Sequence, residues 1–409
     1  MKILFVHQNF PGQYLHLARH LGTQPGNEVV FITQRKDGAA LPEVKNIVYQ
    51  PHRTVASNQH HYLVDTEMGV LNAQAVARVA LGLKESGFVP DVMLGHNGWG
   101  EIWYLKDVFP TTPLIGYFEF FYRHRGADVG FDPQEQEIFD TAPRIRTKNL
   151  GNLLALDTVD LGQTPTQWQK SLYPEAYQSR LQVVHEGIDT QVVTPNPQVR
   201  FKLPGSGIEL CRDEEVLTYV ARNLEPYRGF PQFMRSLPEI LKRRPNAQVL
   251  IVGGDETSYG HRLPEGKTHK QLLLNELGDS IDLGRIHFLG KVPYPTFLQV
   301  LQVSRVHVYL TYPFVLSWSL LESMSAGCLL VASRTAPVEE VIRDGENGLL
   351  VDFFKPEEVA ERVIAALAAG RDGHAELRRN ARRTVVENYD LKSICLPAQL
   401  QLLERALAR

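Results

Sequence analysis

Cysteine is scarce in this chain: among 409 residues there are three, Cys211, Cys328 and Cys395, odd in number, far apart and without a CxxC pair. That spacing argues against a disulfide framework and a thiolate zinc site, and it fits a reducing cytoplasm. Long apolar runs are missing too. Those present, such as Val303 to Leu310, are broken by charge or fall far short of the roughly 18–20 residues of a spanning helix. The opening stretch Met1 to Val6 gives way at once to His7-Gln8-Asn9, too short for the apolar segment of a signal peptide, so it is expected to be a buried first strand. No charge sign dominates. Lys and Arg number 43 against 46 Asp and Glu, a net charge of −3, so bulk charge does not advertise nucleic acid and any anionic ligand must be held locally. Residues 1–200 hold 17 basic and 20 acidic residues and the remainder 26 of each, so neither half is a basic membrane-facing surface by composition. Short-period repeats and low-complexity segments are absent, and so is the GxGxxG fingerprint, which lowers a nicotinamide or flavin reading.

What is present is an ordinary soluble composition, 43% apolar and 22% charged, in a chain longer than the ~250–300 residues at which single cores stop growing. Two domains of about 200 residues are expected. Short apolar runs at Ile3 to His7, Val29 to Thr33, Val92 to His96 and Leu114 to Phe118 read as strands, and Tyr14 to Leu21 and Gly69 to Ser86 carry helical periodicity. This alternation implies parallel sheets built from βαβ units. Proline-rich Val193 to Pro197, followed by Gly205-Ser206-Gly207, reads as the linker; strands resume at Val216 to Ala221, Gln248 to Gly253, Ile286 to Leu289, Val306 to Leu310 and Cys328 to Ala332. The expected domains are 1–197 and 198–388, with a C-terminal helix in 389–409 packing back toward the first. Ligands are expected at the carboxyl ends of the strands, in a cleft between the domains.

Three segments carry candidate chemistry. After the first strand, Asn9-Phe10-Pro11-Gly12-Gln13 forms a turn in which Gly12 could let backbone amides approach a ligand, or could simply be a turn glycine. After the strand at 216, Arg222 and Arg228 lie six residues apart and could converge on one diphosphate with forked donors; the plain alternative is two solvated loop arginines. After the strand at 306 comes a helix start, Val315-Leu316-Ser317-Trp318-Ser319-Leu320, where Ser317 or Ser319 can cap and the amides and dipole offer a diphosphate site. Glu322 in its early turns could accept ribose hydroxyls, or merely complement the dipole.

With Val183 to Asp189, Ile251 to Gly254, Phe288 to Val292, Glu322 to Gly327 and Pro337 to Val351, in this order and spacing, the chain resembles the family-4 (group 1) retaining glycosyltransferases of the GT-B fold over nearly its whole length. The resemblance implies an α/β fold of two Rossmann-like domains with parallel sheets facing an interdomain cleft: the first binds acceptor, the second a nucleotide sugar. It implies a metal-independent hexosyltransferase without cofactor, in which Arg222 and Arg228 hold the donor diphosphate, Glu322 the ribose, and Gly12 with residues 315 to 320 complete the donor site. Two places depart from the family. The first of its paired glutamates, eight residues before Glu322, is Phe314, and the histidine that relatives often carry after the strand at 114 is Glu119, which could replace it as an acceptor of sugar hydroxyls or could pair with Arg123 or Arg125. His96 and Arg123 are further acceptor or cleft candidates, His96 also reading as a structural histidine.

The implied partners are a UDP- or GDP-sugar and a glycan, lipid-linked, protein or small-molecule acceptor, with no nucleic acid and with peripheral contact at the inner face of a membrane left open. Two rivals stand beside this reading: a subunit that binds the nucleotide sugar without turnover, motivated by Phe314, and a nucleotide-sugar epimerase of the same architecture.

Overall fold

The computed structural model of the chain describes residues 1–37, 41–136 and 138–409. Two compact units account for it: Met1–Gly187 together with Leu391–Arg409, and Ile188–Asp390. No helix among the described residues is long and apolar enough to cross a membrane.

The first unit is built on seven parallel strands, β1 Lys2–Val6, β2 Glu28–Thr33, β3 Lys45–Val48, β4 Val92–His96, β5 Leu114–Tyr117, β6 Leu161–Thr164 and β7 Leu181–Val183, in the order β3-β2-β1-β4-β5-β6-β7. Strands covered on both faces read as unbroken apolar runs, as in Ile3-Leu4-Phe5-Val6, all buried and paired with Val29 to Ile32 on one side and Val92 to Gly95 on the other. Phe5, Phe31, Leu94 and Tyr117 form a core that also takes Leu402, Leu403 and Ala406 from the last helix, Leu396–Leu407.

The second unit holds six parallel strands, β10 Val216–Asn223, β11 Gln248–Gly254, β12 Ile286–Gly290, β13 Val306–Tyr309, β14 Leu329–Ser333 and β15 Leu349–Val351, ordered β12-β11-β10-β13-β14-β15, after an antiparallel pair β8 Arg200–Lys202 and β9 Glu209–Cys211. Here the structure differs from the expected linker. Ile188 and Val193 pack into the core of the second unit with Leu320 and Met324, and Arg382 donates to the Val193 carbonyl, so the division falls at Gly187/Ile188 rather than at 197/198. Gly205-Ser206-Gly207 is the bend of the β8-β9 hairpin, whose Phe201, Leu203 and Leu210 join Val216 and Leu250 in a second cluster. At its other limit, Ile188 bridges to Asp390, the unit's last residue.

In both sheets the strand order reverses beside the first strand, between β1 and β4 and between β10 and β13. The carboxyl ends at such a reversal are where open α/β sheets bind ligands.

Candidate functional site

In the first unit the reversal is lined by His7, just after β1, and His96, which ends β4; both are buried. His7 Nδ1 accepts the Asn9 amide and His96 Nδ1 the Gly98 amide, each at 2.9 Å, so in each neutral ring the proton sits on Nε2. His7 Nε2 donates to Gln13 Oε1 at 2.6 Å, and Gln13 Nε2 donates on to Glu119 Oε1 at 3.0 Å. His96 Nε2 is buried without a hydrogen bond, 3.8 Å from Glu119 Oε2. Burial lowers His7 to about 4, outweighing the Gln13 bond, and pushes His96 well below its ordinary value with help from His7. Both rings are therefore neutral at pH 7. They lie 4.7 Å apart, and His96 stacks on Trp99 at 4.8 Å and on Tyr117 at 5.1 Å.

Glu119 follows β5 and is partly exposed; Gln169 donates to its carbonyl and fixes the backbone there. It borders a cavity of about 190 Å³ together with His96, Trp99, Tyr122, Asp65 and Lys148. Lys148 Nζ lies 4.2 Å from the Tyr122 ring centre and 3.5 Å from an Asp65 oxygen. A carboxylate acceptor beside a buried imidazole donor, among aromatic rings, suits hydroxyl groups. Arg123 turns elsewhere: its Nε donates to the Leu172 carbonyl at 2.6 Å and its guanidinium lies over Phe121. Gly12, at φ +54°, packs on His7 so closely that a Cβ would come 2.5 Å from Nε2, so the glycine is required by the protein's own imidazole.

The second unit builds a different surface at the same topological place. Arg228 is buried, and its Nη1 donates to Thr311 Oγ1 at 2.9 Å and to the Val315 carbonyl at 3.0 Å, both on the segment after β13. Gly229 turns the chain at φ +68°, where a Cβ would meet Leu310 at 2.3 Å, so only glycine lets the Arg228 turn lie against that segment. Arg222, the penultimate residue of β10, is by contrast exposed. The pair expected to act alike thus consists of one fixed buried cation and one solvated one. Glu225, unnoticed in the sequence, accepts the amides of Ser258, Tyr259 and Gly260 at 3.0–3.2 Å and so holds Tyr259 over the Arg228 guanidinium, 5.2 Å away.

The helix after β13 runs Trp318–Ser325 with Ser317 as its cap. The Ser317 amide donates to the Tyr309 hydroxyl at 2.9 Å and the Ser319 amide is directed at Ser317 Oγ, so these two amides already serve the fold. Leu316 and Leu320 are buried in the core and Trp318 is exposed, so Leu316 and Leu320 can contribute to a ligand through backbone only, as can Val315 through its remaining main-chain group. Glu322 is buried and accepts the Tyr294 hydroxyl at 2.8 Å; burial raises it to about 7 in spite of that bond. Phe314 is buried, 5.0 Å from Tyr259 and 5.6 Å from Tyr227, which stacks on Tyr312 at 4.7 Å. An aromatic cluster stands where the family resemblance implies a carboxylate.

His7, Gln13, Glu225, Tyr259 and Tyr294 were not singled out from the sequence. His7 alone carried a usable signal, being a polar residue at the carboxyl end of the first strand.

Residues 25–193 match the model described as "Glycosyl transferase family 4 group" and residues 214–369 that described as "Glycosyl transferases group 1". The chain belongs to the family-4, group 1 glycosyltransferases. Among similar members of known name is a D-inositol 3-phosphate glycosyltransferase of Corynebacterium efficiens, 26% identical over 332 residues, 79% of this chain and 72% of that one. An uncharacterized glycosyltransferase of Methanocaldococcus jannaschii is 29% identical over 185 residues, 45% of this chain and 44% of its own length, so the match spans less than half of that relative. Among solved structures, sucrose-phosphate synthase from Thermosynechococcus elongatus superposes with a TM-score of 0.71 at 17% identity, covering 100% of this chain and 99% of that one. HepE from Anabaena, in complex with UDP, gives 0.67 at 17% identity over 99% and 100%. The fold of this glycosyltransferase is GT-B.

Proposed function

We propose that this glycosyltransferase moves a sugar from a UDP-sugar to an acceptor hydroxyl with retention of anomeric configuration and without a metal ion. The observation that carries the reading is Arg228: a buried guanidinium held by Thr311 Oγ1 and the Val315 carbonyl at the carboxyl ends of β10 and β13, where a leaving diphosphate gathers negative charge. Arg222 and the start of the Trp318–Ser325 helix add to that positive charge, and Glu322 receives the ribose hydroxyls in place of the Tyr294 hydroxyl. The acceptor oxygen bonds to the anomeric carbon from the face of the leaving group, the bond from that carbon to the diphosphate oxygen breaks, and the acceptor proton passes to the diphosphate. UDP is favoured over GDP because HepE was crystallised with UDP, with UDP and glucose, and with UDP-glucose. In the first unit, Glu119 and His96 serve sugar hydroxyls, and the cavity they share with Trp99, Tyr122, Asp65 and Lys148 takes a small hydroxyl-rich acceptor.

Thermal shifts with UDP, GDP and ADP test the donor, since a ligand bound only by the folded state raises its stability by mass action. UDP is expected to give the largest shift, and transfer from UDP-sugars is expected to persist in chelator. A larger shift with GDP or ADP discards the UDP assignment. One observation favours a second reading, a nucleotide-sugar-binding subunit without turnover: the aromatic cluster of Phe314, Tyr227 and Tyr259 places no carboxylate at position 314 for donor-sugar hydroxyls. Complete absence of transfer and donor hydrolysis across UDP-sugars and a broad acceptor panel, with UDP binding intact, selects that reading.

A further inference from the structure

At the opposite end of the second sheet, just before β10, β13 and β14 begin, lies a cavity of about 250 Å³ that the transfer chemistry does not use. Its charged lining is Arg212, Arg371, Arg378, Arg379 and Arg382 with a single carboxylate, Asp372. Guanidiniums repel one another when gathered, so five around one cavity need either acidic partners or an anion. Among the described residues none of the five is in an ion pair; three are held by backbone carbonyls. Arg371 donates to the Arg212 carbonyl at 3.0 Å and the Ser304 carbonyl at 3.1 Å, and Arg378 to the carbonyls of Arg371 and Arg305. Arg382 is spent on the carbonyls of Thr190, Val193 and Ser325, which makes it the scaffold of this wall.

Arg378 carries the case further. It is 6% exposed, and its Nε–H is buried with no hydrogen-bond partner. A buried donor on a charged group that is left unmade is costly, so this one is expected to have an acceptor in the working protein. Among the described residues, Arg212 and Arg379 make no side-chain hydrogen bond within the fold, and both stand at the rim with their forks available. Asp372 and Ala375 bring the amino-terminal end of the Ala375–Asn388 helix to the same cavity, which adds to the positive side. Desolvation and the neighbouring Arg212 and Arg378 also lower Arg371 to about 10, as mutual crowding of cations requires.

We propose that this arginine-lined cavity is a binding site for a phosphate-bearing ligand, separate from the donor site. Forked guanidinium donors match phosphate oxygens. A single phosphate brings only about −1.5 to −2 charges at pH 7, so a ligand with two phosphate groups matches the lining better. Its source could be a free small molecule or a membrane headgroup, and the shared chemistry is the phosphate.

Calorimetric titration of inorganic pyrophosphate into the full chain tests this, with R379E and R212Q as variants of rim residues and R228A as a control at the donor site. Co-sedimentation with phosphatidylglycerol and phosphatidylcholine vesicles forms the second arm. We expect a pyrophosphate-binding event that weakens at least tenfold in R379E and R212Q and stays within twofold in R228A. Binding to phosphatidylglycerol vesicles alone, lost in R379E, would assign the phosphate to a headgroup. The proposal is overturned if neither probe binds, or if the binding that occurs is indifferent to R379E and R212Q or vanishes in R228A.

Discussion

Where the first sheet reverses, two neutral imidazoles, His7 just beyond β1 and His96 at the end of β4, lie near one carboxylate, Glu119, which His7 reaches through Gln13. At the matching reversal of the second sheet, a permanent cation, Arg228, is fixed beyond β10 and a carboxylate, Glu322, sits on the helix beyond β13. The topology is shared and the electrostatics are not. Burial lowers the charge of a histidine by removing its proton, but it cannot neutralise a guanidinium, so the first reversal is left with neutral polar groups and the second with a permanent positive charge. A fold therefore supplies the place of a site, and the side chains there decide which half of a nucleotide sugar or acceptor it can recognise.

The largest expected effect lies in the first unit. Glu119→Ala should reduce transfer by roughly 10²–10³, the usual loss when one preorganised polar group is removed from a reacting centre. Initial rates with a UDP-sugar check it, and rates comparable to wild type would remove Glu119 from the chemistry.

Next in size is a pair of opposite pH responses. His7 has a folded value of about 4 against 6.5 unfolded, so its contribution is present above pH 6.5 and is lost as pH falls toward 4, by about 3 kcal/mol at most. Glu322 has a folded value of about 7 against 4.5, so its contribution is present below pH 4.5 and is lost as pH rises through 7, by a similar amount of about 3 kcal/mol. Urea unfolding from pH 4 to 8 should show that His7→Gln removes an acid-side loss while Glu322→Gln removes a loss toward neutral pH. Parallel slopes in both variants would erase the contrast between the two reversals.

The smallest effect concerns Arg222. Arg222 is solvated, and screening limits an exposed charge to about 1 kcal/mol or less, so Arg222→Ala should weaken UDP no more than about fivefold. A larger loss, read by calorimetry, would mean that Arg222 reaches the diphosphate as firmly as Arg228.

The buried parallel strands were legible because burial on both faces leaves unbroken runs, as in Val92 to His96, which the structure assigns to those same residues. The edge strand Lys45–Val48, largely exposed with two apolar residues, and the three-residue Leu181–Val183 carried no such pattern. The hairpin around Gly205 to Gly207 looked like a linker because turn residues are the same in both, and only the packing of Phe201 and Leu210 tells them apart. For the proposed donor site, residue types and spacing singled out Arg222, Arg228 and Glu322, but could not tell which arginine is buried, since that depends on Thr311 and Val315 more than 80 positions away. The arginine cavity was invisible for the same reason: its members run from Arg212 to Arg382 and meet only in three dimensions.

The measurement that bears most directly on the division of labour is calorimetric titration of UDP into Arg228→Ala and Glu119→Ala beside the unmodified protein. Loss of charge-assisted bonds worth about 1.5–3 kcal/mol should weaken UDP roughly 10- to 150-fold in Arg228→Ala, and Glu119→Ala should stay within twofold of wild type. UDP binding unchanged in Arg228→Ala, or lost in equal measure in both variants, would contradict the assignment of diphosphate to the second reversal and sugar hydroxyls to the first.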